Sequence, residues 1–256
     1  LIFSPDHQNG YEVSMMNQER WIWALVMLVL SPYVFGQPVW DDHVLLTDGL
    51  WQDASLWQIW FHSVQGGEVA TQYYRPVSMT VMALIQHPIG LHLFALMLHV
   101  GSALLLRSIV KEMGVSASWA TMAGVIFALH PVHVEPLGWM SCVPDILAVH
   151  LGLWALQSAI RTNLFWMTVT LFLGMLSKEI ALLPVLAWLL THPKSRNLWV
   201  GFVGVAFGVL VLRSTLGIHT QWGGTDQIID VSWRTVGLGV WGWWFPIEHY
   251  PVRDVW

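Results

Sequence analysis

Histidines, paired carboxylates and isolated cations interrupt an otherwise apolar chain at four places. The densest is His130-Pro131-Val132-His133-Val134-Glu135-Pro136; Trp40-Asp41-Asp42-His43 and Tyr73-Tyr74-Arg75-Pro76 precede it, and Ser177-Lys178-Glu179 follows. Adjacent carboxylates such as Asp41 and Asp42 can hold a divalent cation or take the proton of an attacking hydroxyl. A solvated loop or a helix cap would use the same residues. Arg75, at the start of an apolar stretch, offers a planar fork of donors to a phosphate or carboxylate, beside a helix N-terminus that favours anions. With Tyr74 it could equally be an interfacial anchor. His130, His133 and Glu135 suit hydrogen bonding to a phosphate or a sugar as well as metal ligation, and the helix-borne His-Glu-x-x-His of metalloproteases is absent. Asp145 lies ten residues beyond Glu135. Lys178 and Glu179 are costly to desolvate, so they must pair internally or face a wet cavity.

His92 and His99 are seven apart and share a helical face. His99 falls near mid-span, where a polar side chain normally bonds another helix. His92 is nearer the surface and is the better site candidate.

The elements that must carry these groups are membrane helices. Of 256 residues, 55% are hydrophobic and 11% charged, whereas soluble domains carry about 25% charged residues. The composition predicts an all-α, polytopic membrane helix bundle. Eighteen tryptophans fit interfacial anchoring. The net charge of −5 leaves no basic footprint for nucleic acid. The single cysteine, Cys142, excludes an internal disulfide.

Apolar runs predict about eight spans in residues 21–256, after an N-terminal arm, 1–20. Trp21–Phe35 is the first, with Arg20 before it favouring a cytoplasmic N-terminus. Residues 36–90 form an outer loop with two juxtamembrane helices, Leu45–His62 and Pro76–Gln86. The second is too short to cross about 30 Å. Leu91–Val110, Ser116–Leu129, Asp145–Ile160, Leu164–Leu176, Ile180–Thr191, Leu198–Leu212 and Trp233–Phe245 follow. Several are near the lower length limit. This alternation turns every polar island to the periplasmic or lumenal face.

The order Asp-Asp, Tyr-Arg-Pro, His-x6-His, His-Pro-Val-His-x-Glu, Asp-x-Leu, Ser-Lys-Glu resembles the membrane half of the TPR-bearing transmembrane O-mannosyltransferase-like proteins, a family of the GT-C superfamily. The resemblance runs from about Trp40 to Pro193, with a weaker echo at Trp244-Phe245-Pro246 and Tyr250. It implies transfer of a sugar from a polyprenyl-phosphate donor, entering from membrane lipid, to a hydroxyl acceptor. An Asp of the Asp41-Asp42 pair would be the general base, or would hold a divalent cation; no other cofactor is implied. Arg75, Lys178, His130 and His133 would stabilise the departing phosphate, with Tyr74, His92, Glu135, Asp145 and Glu179 completing the site. Where the family has Gly-Arg before its Asp, this chain has Cys142-Val143-Pro144. No 34-residue TPR array follows. Both differences predict a shortened or degenerate relative. The alternative is therefore a catalytically silent GT-C-fold subunit with a structural role among protein partners in a larger membrane complex. A transporter is disfavoured, because the charges cluster at one face rather than at a broken-helix midplane.

Overall fold

A computed structural model describes residues 20–39, 42–43, 55–61 and 74–216. Among them every regular element is helical, as lipid requires, since a helix satisfies its backbone polar groups internally. The elements are α1 (Arg20–Phe35), α2 (Leu56–Phe61), α3 (Pro76–Ile85), α4 (Pro88–Glu112), α5 (Ala117–Leu129), α6 (Val134–Gly138), α7 (Val143–Ile160), α8 (Leu164–Met175), α9 (Leu182–Thr191) and α10 (Arg196–Thr215). Short 3-10 turns, Pro131–His133, Met140–Cys142 and Glu179–Ala181, lead into α6, α7 and α9.

Prolines set several of these starts. Pro76, Pro88, Pro131 and Pro144 occupy the first positions of their helical segments, where the missing N–H costs nothing. Gln86 closes α3 in the left-handed conformation (φ 52°), and α4 begins two residues later. Of the two helices expected in residues 36–90, Pro76–Gln86 is present as α3, and Leu45–His62 is represented by α2, with 45–54 and 62 outside the described residues. They pack together, with Trp60 Nε1 donating to Thr80 Oγ1 at 3.0 Å and Tyr74 Oη donating to the Trp60 carbonyl at 2.9 Å.

Three helices are long and apolar enough to cross a membrane: Pro88–Glu112, Met140–Ile160 and Arg196–Thr215. Ala117–Leu129 with Pro131–Gly138, bent by 44°, makes a fourth if the pair is one broken span. The expected count of about eight is not reached among the described residues. Arg20–Phe35, Leu164–Met175 and Glu179–Thr191 are shorter apolar helices, and at 1.5 Å per residue the 12 residues of α8 cover only about 18 Å. Prolines and 3-10 turns break the apolar text that hydropathy reads as continuous. The span expected at 233–245 lies outside the described residues.

α4 and α7 run parallel, shown by partners at matching levels: Ser102 with His150, Ser108 with Gln157, and Glu112 with Arg161. One core, including Val26, Leu91, Leu96, Val100 and Ala128, joins α1, α4 and α5. A second, including Ala155, Met167, Leu171, Val185 and Phe202, joins α7 to α10. Leu25, Leu28 and Val29 of α1, and Val203, Phe207 and Leu210 of α10, remain exposed. Apolar faces turned both inward and outward are what lipid-embedded helices present, and the chain is an integral membrane protein.

Two glycines fix how closely α7 and α8 approach the turn that follows α8. A Cβ on Gly152 would lie 2.8 Å from the Ala181 carbonyl oxygen, and one on Gly174 would lie 2.8 Å from the Ala181 Cβ. Ala181 is therefore wedged between both helices, and the Lys178–Glu179 pair just before it is held against the first turn of α7.

Candidate functional site

Helix polarity brings most of the polar islands to one end of the bundle. The N-termini of α3, α4 and α7 meet the C-termini of α5, α8 and α10 there. Lys178 leaves α8 and reaches Asp145 in the first turn of α7, donating to both carboxylate oxygens at 2.6 and 2.7 Å. Each side chain is 30% exposed, so the pair faces an opening rather than a sealed core.

Lys178 and Glu179 do not pair with each other. Glu179 takes Arg213, at 2.5 Å from Oε1 to Nη2. The same guanidinium nitrogen donates to the Tyr74 carbonyl at 3.3 Å. Burial opposes charge on Glu179, but its own backbone N–H, Arg213 and Arg75 outweigh that and hold its carboxyl below the usual carboxylate range. Arg75 is thus electrostatically close to Glu179. The backbone of the α3 start is docked as well, with the Val77 N–H donating to the Leu176 carbonyl at 3.3 Å. Tyr74 and Arg75 of one island, Lys178 and Glu179 of another, and Asp145 from the start of α7 form one group.

Asp42 is fully buried. Oδ1 accepts from the Ser141 N–H and hydroxyl, both at 2.9 Å, and Oδ2 accepts from the N–H groups of Val39 at 3.1 Å and Met140 at 3.2 Å. Four donors fill the lone-pair positions of one carboxylate. That donor set does not fit a cation, which needs those lone pairs for itself. Among the described residues no three His, Cys, Asp or Glu side chains converge for a metal ion. Asp41 lies outside the described residues. Asp42 instead locks the connection after α1 onto the 3-10 turn that starts α7, the helix carrying Asp145.

The histidines serve a neighbouring region. His92 and His99, both buried on one face of α4, donate toward the carbonyls of Leu137 at 3.2 Å and Ala128 at 3.0 Å. They staple the bent α5–α6 segment to α4. His92 Nε2 has no partner and faces Gly36, where an added Cβ would lie 3.3 Å away. His133 packs against His99 and Phe127, with ring centroids 4.7 and 4.6 Å apart. His130 accepts the Val132 N–H at 3.2 Å, capping the 3-10 turn. Glu135 is exposed in the first turn of α6. The histidine island is therefore beside the cation–carboxylate group, not interleaved with it.

Arg213 is the member that the sequence reading passed over. It ends an apolar run, the usual place for an arginine whose head snorkels to the surface. The signal in the sequence is its sign, since an arginine at a span end expected on the outer face runs against the positive-inside tendency.

Over 183 residues the chain is 22% identical to protein O-mannosyl-transferase TMTC4 of Homo sapiens, a match covering 56% of this chain and 25% of that protein. The Mus musculus protein of the same name is also 22% identical, over 184 residues, with the same coverage of each chain. The matched stretch spans about a quarter of the length of these curated relatives. No family model and no solved structure matches the chain. The resemblance read from the polar islands is thus accompanied by a distant similarity to protein O-mannosyl-transferases.

Proposed function

We propose that this chain is the donor-binding membrane part of a glycosyltransferase that moves a sugar from a polyprenyl phosphate to a hydroxyl acceptor. The observation that carries the reading is the grouping of Arg75, Lys178, Asp145 and Glu179, with Arg213, at one half-open end of an apolar bundle. The similarity to protein O-mannosyl-transferase TMTC4 of Homo sapiens supplies the reaction class.

In the proposed step the acceptor oxygen attacks the anomeric carbon and its proton passes to a carboxylate. The bond from that carbon to the phosphate oxygen breaks, and the polyprenyl phosphate leaves with its charge stabilised by Arg75 and Lys178. Such stabilisation is usually the largest catalytic contribution. Because attack and departure are on opposite faces, the anomeric configuration inverts. Asp42 already holds four donors, so Asp41 takes the role of base and Asp42 positions. His92, His130, His133 and Glu135, on the histidine side, would meet the acceptor.

Charge distribution supports an orientation with this end outside the cytoplasm. Arg20, Arg107, Lys111, Arg161, Lys194 and Arg196 fall toward the opposite end, as the positive-inside tendency favours.

Purified protein incubated with a labelled polyprenyl-phosphate sugar should transfer label in wild type and lose it in Asp41→Asn. Absence of transfer by wild type with every donor offered would overturn the enzyme reading. The second reading, a silent subunit, is favoured by Lys178 already being paired with both carboxylate oxygens of Asp145. It predicts no transfer together with stable co-purification in a membrane complex.

A further inference from the structure

Arg213 sits 7% exposed in the last turn of α10, inside an apolar surround that includes Tyr74, Leu176 and Val209. A guanidinium buried there is expensive, and its Nε–H has no acceptor, an uncompensated loss. Stability alone does not explain an arginine at this position, because an apolar residue of similar volume would pack without that loss. What the arginine does is geometric. One nitrogen, Nη2, meets Glu179 Oε1 at 2.5 Å and the Tyr74 carbonyl at 3.3 Å. Tyr74 is the residue before Arg75, and Glu179 is the residue after Lys178.

We propose that Arg213 is a positioning residue: it neutralises Glu179 and ties it toward the Tyr74 backbone, so that this carboxylate does not draw the neighbouring cations, Arg75 and Lys178, away from the lipid phosphate they receive. The inference rests on the donor-site reading above. Without Arg213, Glu179 loses its ion-pair partner and is left with Arg75, whose charge already acts on it, and with Lys178 next to it in sequence. It then competes with the incoming phosphate for them.

The test uses the full chain in lipid nanodiscs, with unglycosylated polyprenyl phosphate as the probe. Arg213→Met should weaken its binding about tenfold, and adding Glu179→Gln should restore most of the affinity, because the competing carboxylate is gone. A double variant as weak as Arg213→Met would overturn the proposal and make Arg213 a direct ligand or a fold element. If Arg213→Met fails to fold, Arg213→Lys serves instead. It keeps the charge on Glu179 and should bind nearly as well as wild type, and a full loss would count against the proposal. Infrared titration supplies a readout that needs no donor. The Glu179 carboxyl band, identified by its loss in Glu179→Gln, should protonate at higher pH in Arg213→Met than in wild type. An unchanged titration sinks the coupling. A wild type that binds no polyprenyl phosphate, with the titration shifted as expected, removes the donor-site reading and leaves the Arg213–Glu179 coupling standing.

Discussion

Asp42 shows how a residue that looks catalytic in sequence can be structural in place. A carboxylate accepting four donors has no lone pair free for a substrate proton. In Asp42→Asn one oxygen becomes an NH2 group that must face two existing donors. The expected cost is about 2–3 kcal/mol, from a lost charge-assisted bond and an unsatisfied N–H. Thermal unfolding in detergent should show it as a clear drop in midpoint; on the proposed reading, Asp41→Asn should abolish transfer. The pair could not be divided from sequence, because the donors come from Met140 and Ser141, nearly a hundred positions away. The role of Arg213 was illegible for a related reason. Its partners, Glu179 and Tyr74, are brought to it only by the docking of α3 and α10 on the turn after α8.

At the scale of elements, sequence pattern located helices well where prolines and charges bracket them. Leu91–Val110 appears as Pro88–Glu112, and Asp145–Ile160 as Val143–Ile160. It overcounted spans where 3-10 turns divide apolar runs. It also missed the role of small residues, since a glycine in a span has no period to reveal its neighbour. Gly152→Ala would press a methyl to 2.8 Å from the Ala181 carbonyl, an overpacking expected to cost about 1–3 kcal/mol. The turn carrying Lys178 and Glu179 would shift with it. Gly204→Ala and Gly208→Ala meet nothing within 4 Å, and helix propensity favours alanine there by roughly 1 kcal/mol. Unfolding midpoints in one detergent should fall for Gly152→Ala and hold or rise for the other two. Equal losses at all three would refute the wedge formed by Ala181.

The whole molecule is tied at both ends by different chemistry. Opposite the candidate site, Arg161 clamps Glu112 through Nε and Nη2, and Gln157 joins that carboxylate to Ser108 at 2.8 and 2.7 Å. This network fixes the register of α4 against α7 and so the height at which Asp145 stands along α4. The proposed orientation is tested by cysteine labelling in a Cys142→Ser background. Glu135→Cys should react with a membrane-impermeant reagent in intact cells, and Lys194→Cys only after permeabilisation; the reverse pattern would invert the topology. That the polar islands gather at one end was legible from the alternation of runs. That the cation–carboxylate group and the histidine group stay separate was not, because neither spacing nor charge encodes lateral position within a bundle.

The shortness of α8 has a consequence for the surrounding bilayer. Lys178 meets Asp145, so the α8 exit lies level with the first turn of α7, about 18–24 Å from the far ends of these helices at 1.5 Å per residue. A hydrocarbon slab is about 30 Å thick. With the far ends of α7 and α8 placed at one headgroup plane, the turn carrying Lys178 would fall several ångströms short of the other. Lipids wetting this side must thin or tilt to avoid exposing water to chain, the familiar response to a short hydrophobic segment. Such a dimple would lower headgroup phosphates toward Lys178. On the proposed donor-site reading, the mismatch itself would be a route by which a lipid-borne phosphate reaches a cation held below the surface.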